Sequence, residues 1–189
     1  MRLVTIQNKK ILELLLKGIT YKNDFEYVLG EIDDCYNFIT QREYSEITRA
    51  KAYQILMRHY RYTTPPIFCC IVQRIVNFTG TTKSNRNILL ELEVPDEFIN
   101  LHKFDTWQYI FHLVYRNDWN DALYETLKEY LDGKDTGKEY LGSIQAVIPF
   151  IKPDWLKGAY KITNRFIDLY EEEYLYENNY NWKPLYIAK

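Results

Sequence analysis

The hydrophobic positions change period several times along the chain, and the changes mark out short strands and helices in alternation. Leu3, Val4, Thr5, Ile6 and Gln7 form an alternating, β-branched run that predicts a strand. Asn8 stands where a helix N-cap belongs, and Ile11, Leu12, Leu15 and Leu16 draw one apolar stripe over residues 9–17. Gly18 follows as a left-handed C-cap, and Ile19, Thr20 and Tyr21 predict a second short strand. Residues 22–44 show no clear period. Ser45 caps a predicted helix that reaches about Tyr60, with Tyr53, Leu56, Met57 and Tyr60 on one side, and Thr63-Thr64-Pro65-Pro66 stops it. Residues 67–72 are continuously apolar, as in a strand buried on both faces. Residues 88–94 alternate, turning Leu90, Leu92 and Val94 to a core and Glu91 and Glu93 to solvent. A polar loop, residues 77–87, separates these two strands.

The spacing of Phe104, Trp107, Phe111 and Val114 predicts a helix over 104–117, and Trp119, Leu123, Leu127 and Leu131 predict another, ended by the turn formers of 132–137. Residues 143–150 read as a strand, Pro153 opens a single helical turn, 159–162 is a last strand, and Thr163 caps a tail helix with Phe166, Ile167 and Tyr170 inward. Without repeats or a biased linker, the elements predict a single α+β domain over residues 1–189. Its expected form is a central, mostly antiparallel sheet of about five or six strands with surrounding helices.

Composition narrows the functional classes. A 189-residue chain with 47% hydrophobic residues can bury one core, and a net charge of -2 supplies no electrostatic drive toward nucleic acid or an anionic membrane. No run approaches the ~18 apolar residues of a membrane helix, and the first ten residues lack a signal-peptide core, so a cytoplasmic chain without a membrane partner is expected. Three cysteines are an odd number, and the adjacent Cys69 and Cys70 read as small hydrophobes in a reduced strand. With three histidines and no ligand-like spacing, no metal is expected. Eighteen Tyr, nine Phe and four Trp are either a stacking platform or a compositional bias.

Several polar residues stand out. Gln145 is a lone amide among Ile144, Ala146, Val147 and Ile148, which implies a polar cavity or a sheet edge. Thr5 and Gln7 either line a ligand cleft or serve as a β-former and the residue before a cap. Lys83 and Arg86 in the 77–87 loop either hold phosphates, with Arg58 and Arg61, or are scattered surface cations. Asp105 and Trp107 form either a ligand clamp or a helix cap and a core residue.

Four stretches together resemble the bacterial family described as a domain of unknown function, DUF3841. They are Leu3-Val4-Thr5-Ile6-Gln7 with the helix ending Lys17-Gly18; Ala52-Tyr53 through Pro66-Ile67-Phe68; Leu90-Glu91-Leu92-Glu93-Val94-Pro95-Asp96-Glu97 leading to Phe104-Asp105-Thr106-Trp107; and Ile144-Gln145-Ala146 with Trp155-Leu156. The chain departs from the family pattern at Gln54-Ile55, where Asp-Trp is usual, and at Phe68-Cys69-Cys70, which replaces Trp-Ala-Trp.

More distantly, the opening from Leu3 to Tyr21 and the close from Gln145 through Pro149 to Ala159 resemble ADP-ribosyltransferase-like proteins, which begin with a strand, a helix ending in Lys/Arg-Gly and a short strand. The resemblance implies an ADP-ribosyltransferase-like fold and an NAD or nucleotide pocket, with Gln145 at the catalytic position and Thr5 or Gln7 on the first strand as ligand contacts; the residues themselves add Lys83, Arg86, Asp105 and Trp107 as candidate ligand contacts. It leaves open whether an acceptor would be nucleic acid or protein. Such enzymes place a Glu on the late strand to stabilise the positive charge that develops on the ribose, and Gln145 carries none. That difference argues against standard activity. It points to another specificity, an RNA 2'-phosphate type of site, or a non-enzymatic protein that captures a small nucleotide signal or a partner protein.

Overall fold

In the computed structural model the described residues are 1–30, 46–71, 86–103, 113–114, 121–132, 144–161 and 183–189. In chain order they form β1 (Arg2–Asn8), α1 (Lys9–Leu16), α2 (Phe25–Gly30), α3 (Glu46–Tyr60), β2 (Ile67–Ile71), β3 (Arg86–Glu93), β4 (Asn100–Lys103), α4 (Asp121–Leu131), β5 (Ile144–Ile148), β6 (Leu156–Lys161) and β7 (Lys183–Ile187). Single 3-10 turns occur at Asp96–Phe98 and Pro153–Trp155. The strands make a seven-stranded sheet in the order β4-β5-β2-β1-β3-β6-β7, with neighbours antiparallel. The protein is therefore α+β, with the first strand near the middle of the sheet.

Local chemistry explains how β1 turns into α1. The Asn8 side chain accepts a hydrogen bond from the Ile11 amide at 3.0 Å, satisfying one of the donors that a helix N-terminus leaves open. The helix ends at Gly18, whose φ of 78° lies in the left-handed region where a Cβ is strained. The third helix stops differently. Arg61 takes φ 57°, the Tyr62 amide reaches back to the Met57 carbonyl at 2.9 Å, and Pro65 and Pro66 then exclude further helix.

The pleat sorts side chains onto two covered faces. One face carries Leu3, Leu90, Leu92, Ile67, Cys69, Ala146, Ile148 and Ala159, packed with Ile11, Leu12 and Leu15 of α1. The other carries Val147 and Phe68, packed with Ala52, Ile55 and Leu56 of α3 and Tyr124, Leu127 and Leu131 of α4. Two connections also cross the α1 face. The β3–β4 link crosses β1, β2 and β5 to reach the edge of the sheet, and the β5–β6 link returns the other way across β2, β1 and β3. They meet in a triad of rings, with centroids 5.4 Å apart for Phe98–Phe150, 5.2 Å for Phe98–Trp155 and 5.3 Å for Phe150–Trp155.

Several expectations need correction. Residues 19–21 are not a strand: Tyr21 makes an isolated bridge to Ile151. The unpatterned 22–44 segment contains α2. Strands β4 and β7 carry no alternating signal because both are sheet edges: Leu101 is exposed, and β7 is largely exposed and contains Pro184. Strands β3 and β6 begin earlier than their apolar runs, at Arg86 and Leu156. Of the predicted 104–117 helix only Leu113 and Val114 are described, and both are helical. The predicted tail helix from Thr163 lies outside the described residues. Among the described residues no helix is long and apolar enough to cross a membrane.

Two outcomes follow from this packing. Trp155, only 4% exposed and shared by both crossing connections, is expected to cost about 3–5 kcal/mol when changed to Ala, against about 1 kcal/mol for Asn8→Ala, both read by urea denaturation. At the C-terminal end of α3, burial holds the His59 imidazole below its ordinary 6.5. Asp132 at 3.8 Å opposes that shift and Lys128 adds to it. The unfolded chain then binds the proton more readily, so this contribution is fully present above pH 6.5 and is lost as pH falls through the folded value. A His59→Gln variant should flatten that part of the stability profile, measured as denaturation midpoints between pH 7.5 and about 5.

Candidate functional site

The central strands part company early. Backbone pairing between β1 and β2 sets Leu3 opposite Ile71 and Val4 opposite Cys70, whereas β1 and β3 stay paired from Arg2 to Asn8. Beyond Val4, side chains stitch the β1–β2 seam. The Thr5 hydroxyl donates to the Phe68 carbonyl at 2.9 Å and accepts from Gln7 Nε2 at 2.9 Å. Just before β2, Asn23 Nδ2 donates to the Pro66 carbonyl at 2.9 Å, and the Tyr21 hydroxyl donates to Asn23 Oδ1 at 2.7 Å. Thr5, Gln7 and Asn23 are the buried polar residues among the described ones, and all three lie on this seam. A buried carbonyl left without a donor would cost about 1–3 kcal/mol, which explains their presence inside an apolar layer.

The same seam ties the opening of the chain to its later half. The Tyr21 amide donates to the Ile151 carbonyl at 2.9 Å, and the Ile151 amide donates back to the Tyr21 carbonyl at 2.9 Å. Strand β5, which Ile151 follows, is paired with β2 from Ile67 opposite Ile148 to Cys70 opposite Gln145. The segments 1–23, 66–71 and 144–151 thus meet at one place.

The predicted site residues distribute unevenly around it. Thr5 and Gln7 come together on the α1 face. Gln145 lies in β5 with its backbone opposite Cys70 of β2 and His102 of β4. Its position, two before Val147, falls on the face opposite Thr5, and β2 stands between them. Arg86 is the first residue of β3, opposite Asn8. Lys83, Asp105 and Trp107, with most of the 77–87 loop, lie outside the described residues. Among the described residues no group of three or more His, Cys, Asp or Glu could hold a metal ion.

The sequence reading missed Tyr21 and Asn23. Asn23 sits in a short polar stretch, and its carbonyl partner at Pro66 is 43 residues away, so no local pattern announces it. Glu91 also differs from expectation. Glu93 is exposed and pairs with Lys157 at 3.3 Å, but Glu91 is half-buried, the one carboxylate not exposed among those whose side chains are described. The Tyr160 hydroxyl approaches Glu91 Oε2 at 3.4 Å, and burial, with the Glu91 charge adding to it, pushes the phenol up from its ordinary value. Both side chains lie over Gly158, where a Cβ would fall 2.8 Å from Glu91 Oε2 and 2.9 Å from Tyr160 Cε2.

Removing the Thr5 hydroxyl strips both the Phe68 carbonyl and Gln7 Nε2 of a bond. Thr5→Val is therefore expected to lose about 1–3 kcal/mol by urea denaturation, more than Gln7→Leu, which leaves the Phe68 bond intact. Gly158→Ala should cost about 1 kcal/mol or less, because the atoms its Cβ would meet are the far ends of side chains that can shift, and less still when Glu91→Ala has first cleared the nearest one, a non-additivity that the double mutant measures.

Comparison with known proteins gives one match. No curated protein and no solved structure matches the chain. The family model described as a domain of unknown function, DUF3841, matches residues 2–152, from β1 through the seam residues to the segment after β5. The chain belongs to the DUF3841 family.

Proposed function

We propose that the chain is a cytoplasmic nucleotide-pocket domain of the NAD type, built on a plan related to that of the ADP-ribosyltransferases, with its pocket along the β1–β2 seam. The observation that carries this reading is the reciprocal Tyr21–Ile151 pair. It brings the opening strand-helix segment against the chain leaving β5, the two stretches on which the resemblance rests. The seam is lined by the Gln7 amide, the Thr5 hydroxyl, the Asn23 amide and the Tyr21 phenol, which bond one another and the carbonyls of Phe68 and Pro66, and a ligand would take up those bonds in exchange. Neutral groups of these kinds hydrogen-bond the hydroxyls of a ribose or the carboxamide of nicotinamide.

The chemistry favours capture over standard transfer. Breaking the nicotinamide glycosidic bond builds positive charge on the ribose; the seam groups of Thr5, Gln7, Tyr21 and Asn23 are neutral, and Gln145, across β2 on the other face, is a neutral amide that could not offset the charge as a carboxylate would. Loss of one such electrostatic partner typically lowers a rate about 100-fold or more. NAD or a related nucleotide is thus proposed as a bound ligand. An acceptor, nucleic acid or protein, would be needed only if transfer occurs.

Thermal unfolding with NAD, ADP-ribose and common nucleoside triphosphates tests the reading. Ligand at about 100 times its dissociation constant should add about 2.7 kcal/mol to the wild-type protein, and Gln7→Leu should reduce that gain. Absence of a shift with every nucleotide overturns the proposal. Labelled NAD retained intact supports capture, and label transferred to nucleic acid or protein supports turnover.

A further inference from the structure

Lys152 directly follows Ile151, the residue that closes the seam through Tyr21. Its ammonium lies 5.3 Å from the centroid of Phe98, 5.7 Å from that of Phe150 and 5.6 Å from that of Trp155. The three rings are themselves 5.2 to 5.4 Å apart, so the nitrogen caps the triad almost symmetrically. Lys152 is half-buried, and among the described residues no carboxylate comes within ion-pair distance of it. The rings hold the ammonium by attraction to their faces, which are electron-rich but accept no ordinary hydrogen bond. The N–H donors on the side away from the rings stay available to an anion.

The rigidity of the support matters. Trp155 is 4% exposed in the core, and the Phe98 and Phe150 rings pack against the same core, so the cation is positioned by the crossing connections instead of swinging on a free stem. A positioned cation without a counter-ion among the described residues, next in sequence to the joint of a proposed nucleotide seam, fits one class of group. We propose that Lys152 is an anion anchor that binds phosphate oxygens, and that its ligand is the diphosphate of the nucleotide taken up along the seam. The second half of that statement rests on the pocket proposed above. The first half does not.

Inorganic pyrophosphate is the first probe, measured by thermal shift and calorimetry on the full chain. Wild type should be stabilised by pyrophosphate, Lys152→Met should weaken it by about tenfold or more, and Lys152→Arg should restore most of the affinity. Met keeps the length and packing of the stem, and an unchanged Trp155 fluorescence spectrum confirms an intact triad. No response of the wild type to pyrophosphate, or equal responses of wild type and Lys152→Met, overturns the anchor.

NAD and nicotinamide riboside, which lacks the diphosphate, form the second arm. Lys152→Met should weaken NAD and leave the riboside unchanged. NAD binding that ignores Lys152 leaves the pocket standing and removes the anchor. Pyrophosphate binding through Lys152 without any NAD binding does the reverse, leaving an anion site for free phosphates.

Discussion

A single hydroxyl stands at the point where the sheet opens. Thr5 lies on the central strand, and at its level β1 ceases to be matched on the β2 side while remaining matched on the β3 side. A backbone carbonyl at that depth must find a donor, and Phe68 finds it in the Thr5 side chain. Asn23 performs the same service for Pro66, the residue before β2. The polar content of this layer is thus a requirement of splitting two strands inside a core, and the position of Tyr21 and Ile151 follows because both attach to the same opening.

The layers on either side respect that division. The α1 face is closed by one helix and by two connections that run across the sheet in opposite senses, which is why its core contains Val94, Ile151 and Trp155 as well as strand residues. The other face is closed by α3 and α4 over Phe68 and Val147, with Arg58 of α3 lying 3.8 Å from the Tyr124 ring centroid of α4. Any ligand site that uses the seam therefore draws on the crossing connections, whereas the helices of the far face act by fixing β2 and β5 from behind.

Legibility from the sequence tracked how local each determinant is. The turn from β1 into α1 was readable because Asn8, the 11-12-15 stripe and Gly18 lie within about three helical turns. The core strands β2, β3 and β5 were readable because burial on both faces or alternation leaves a dense apolar run. Edge strands left no such trace: Asn100-Leu101-His102-Lys103 and Lys183-Pro184-Leu185-Tyr186-Ile187 are specified by the strand beside them. The polar seam was legible in part. Thr5 and Gln7 could be singled out as polar residues in an apolar strand, but Asn23 owes its setting to Pro66 and Lys152 part of its setting to Phe98, both far along the chain. The half-burial of Glu91 depends on Tyr160, 69 residues later, and on the bare backbone at Gly158.

The strand order carries a kinetic corollary. Because β1 is an interior strand whose Thr5 partner is 63 residues away, nothing near it in sequence can complete its hydrogen bonding, and β6 and β7 must wait for β3. Assembly consequently begins with distant loops to be closed before any pairing rewards them, which places this chain among slow-forming β-rich topologies despite its well-capped first helix. Until β2 and β3 pair with it, β1 has both edges open, and α1, which packs on the face that holds Leu3, is the nearest element in sequence able to cover it.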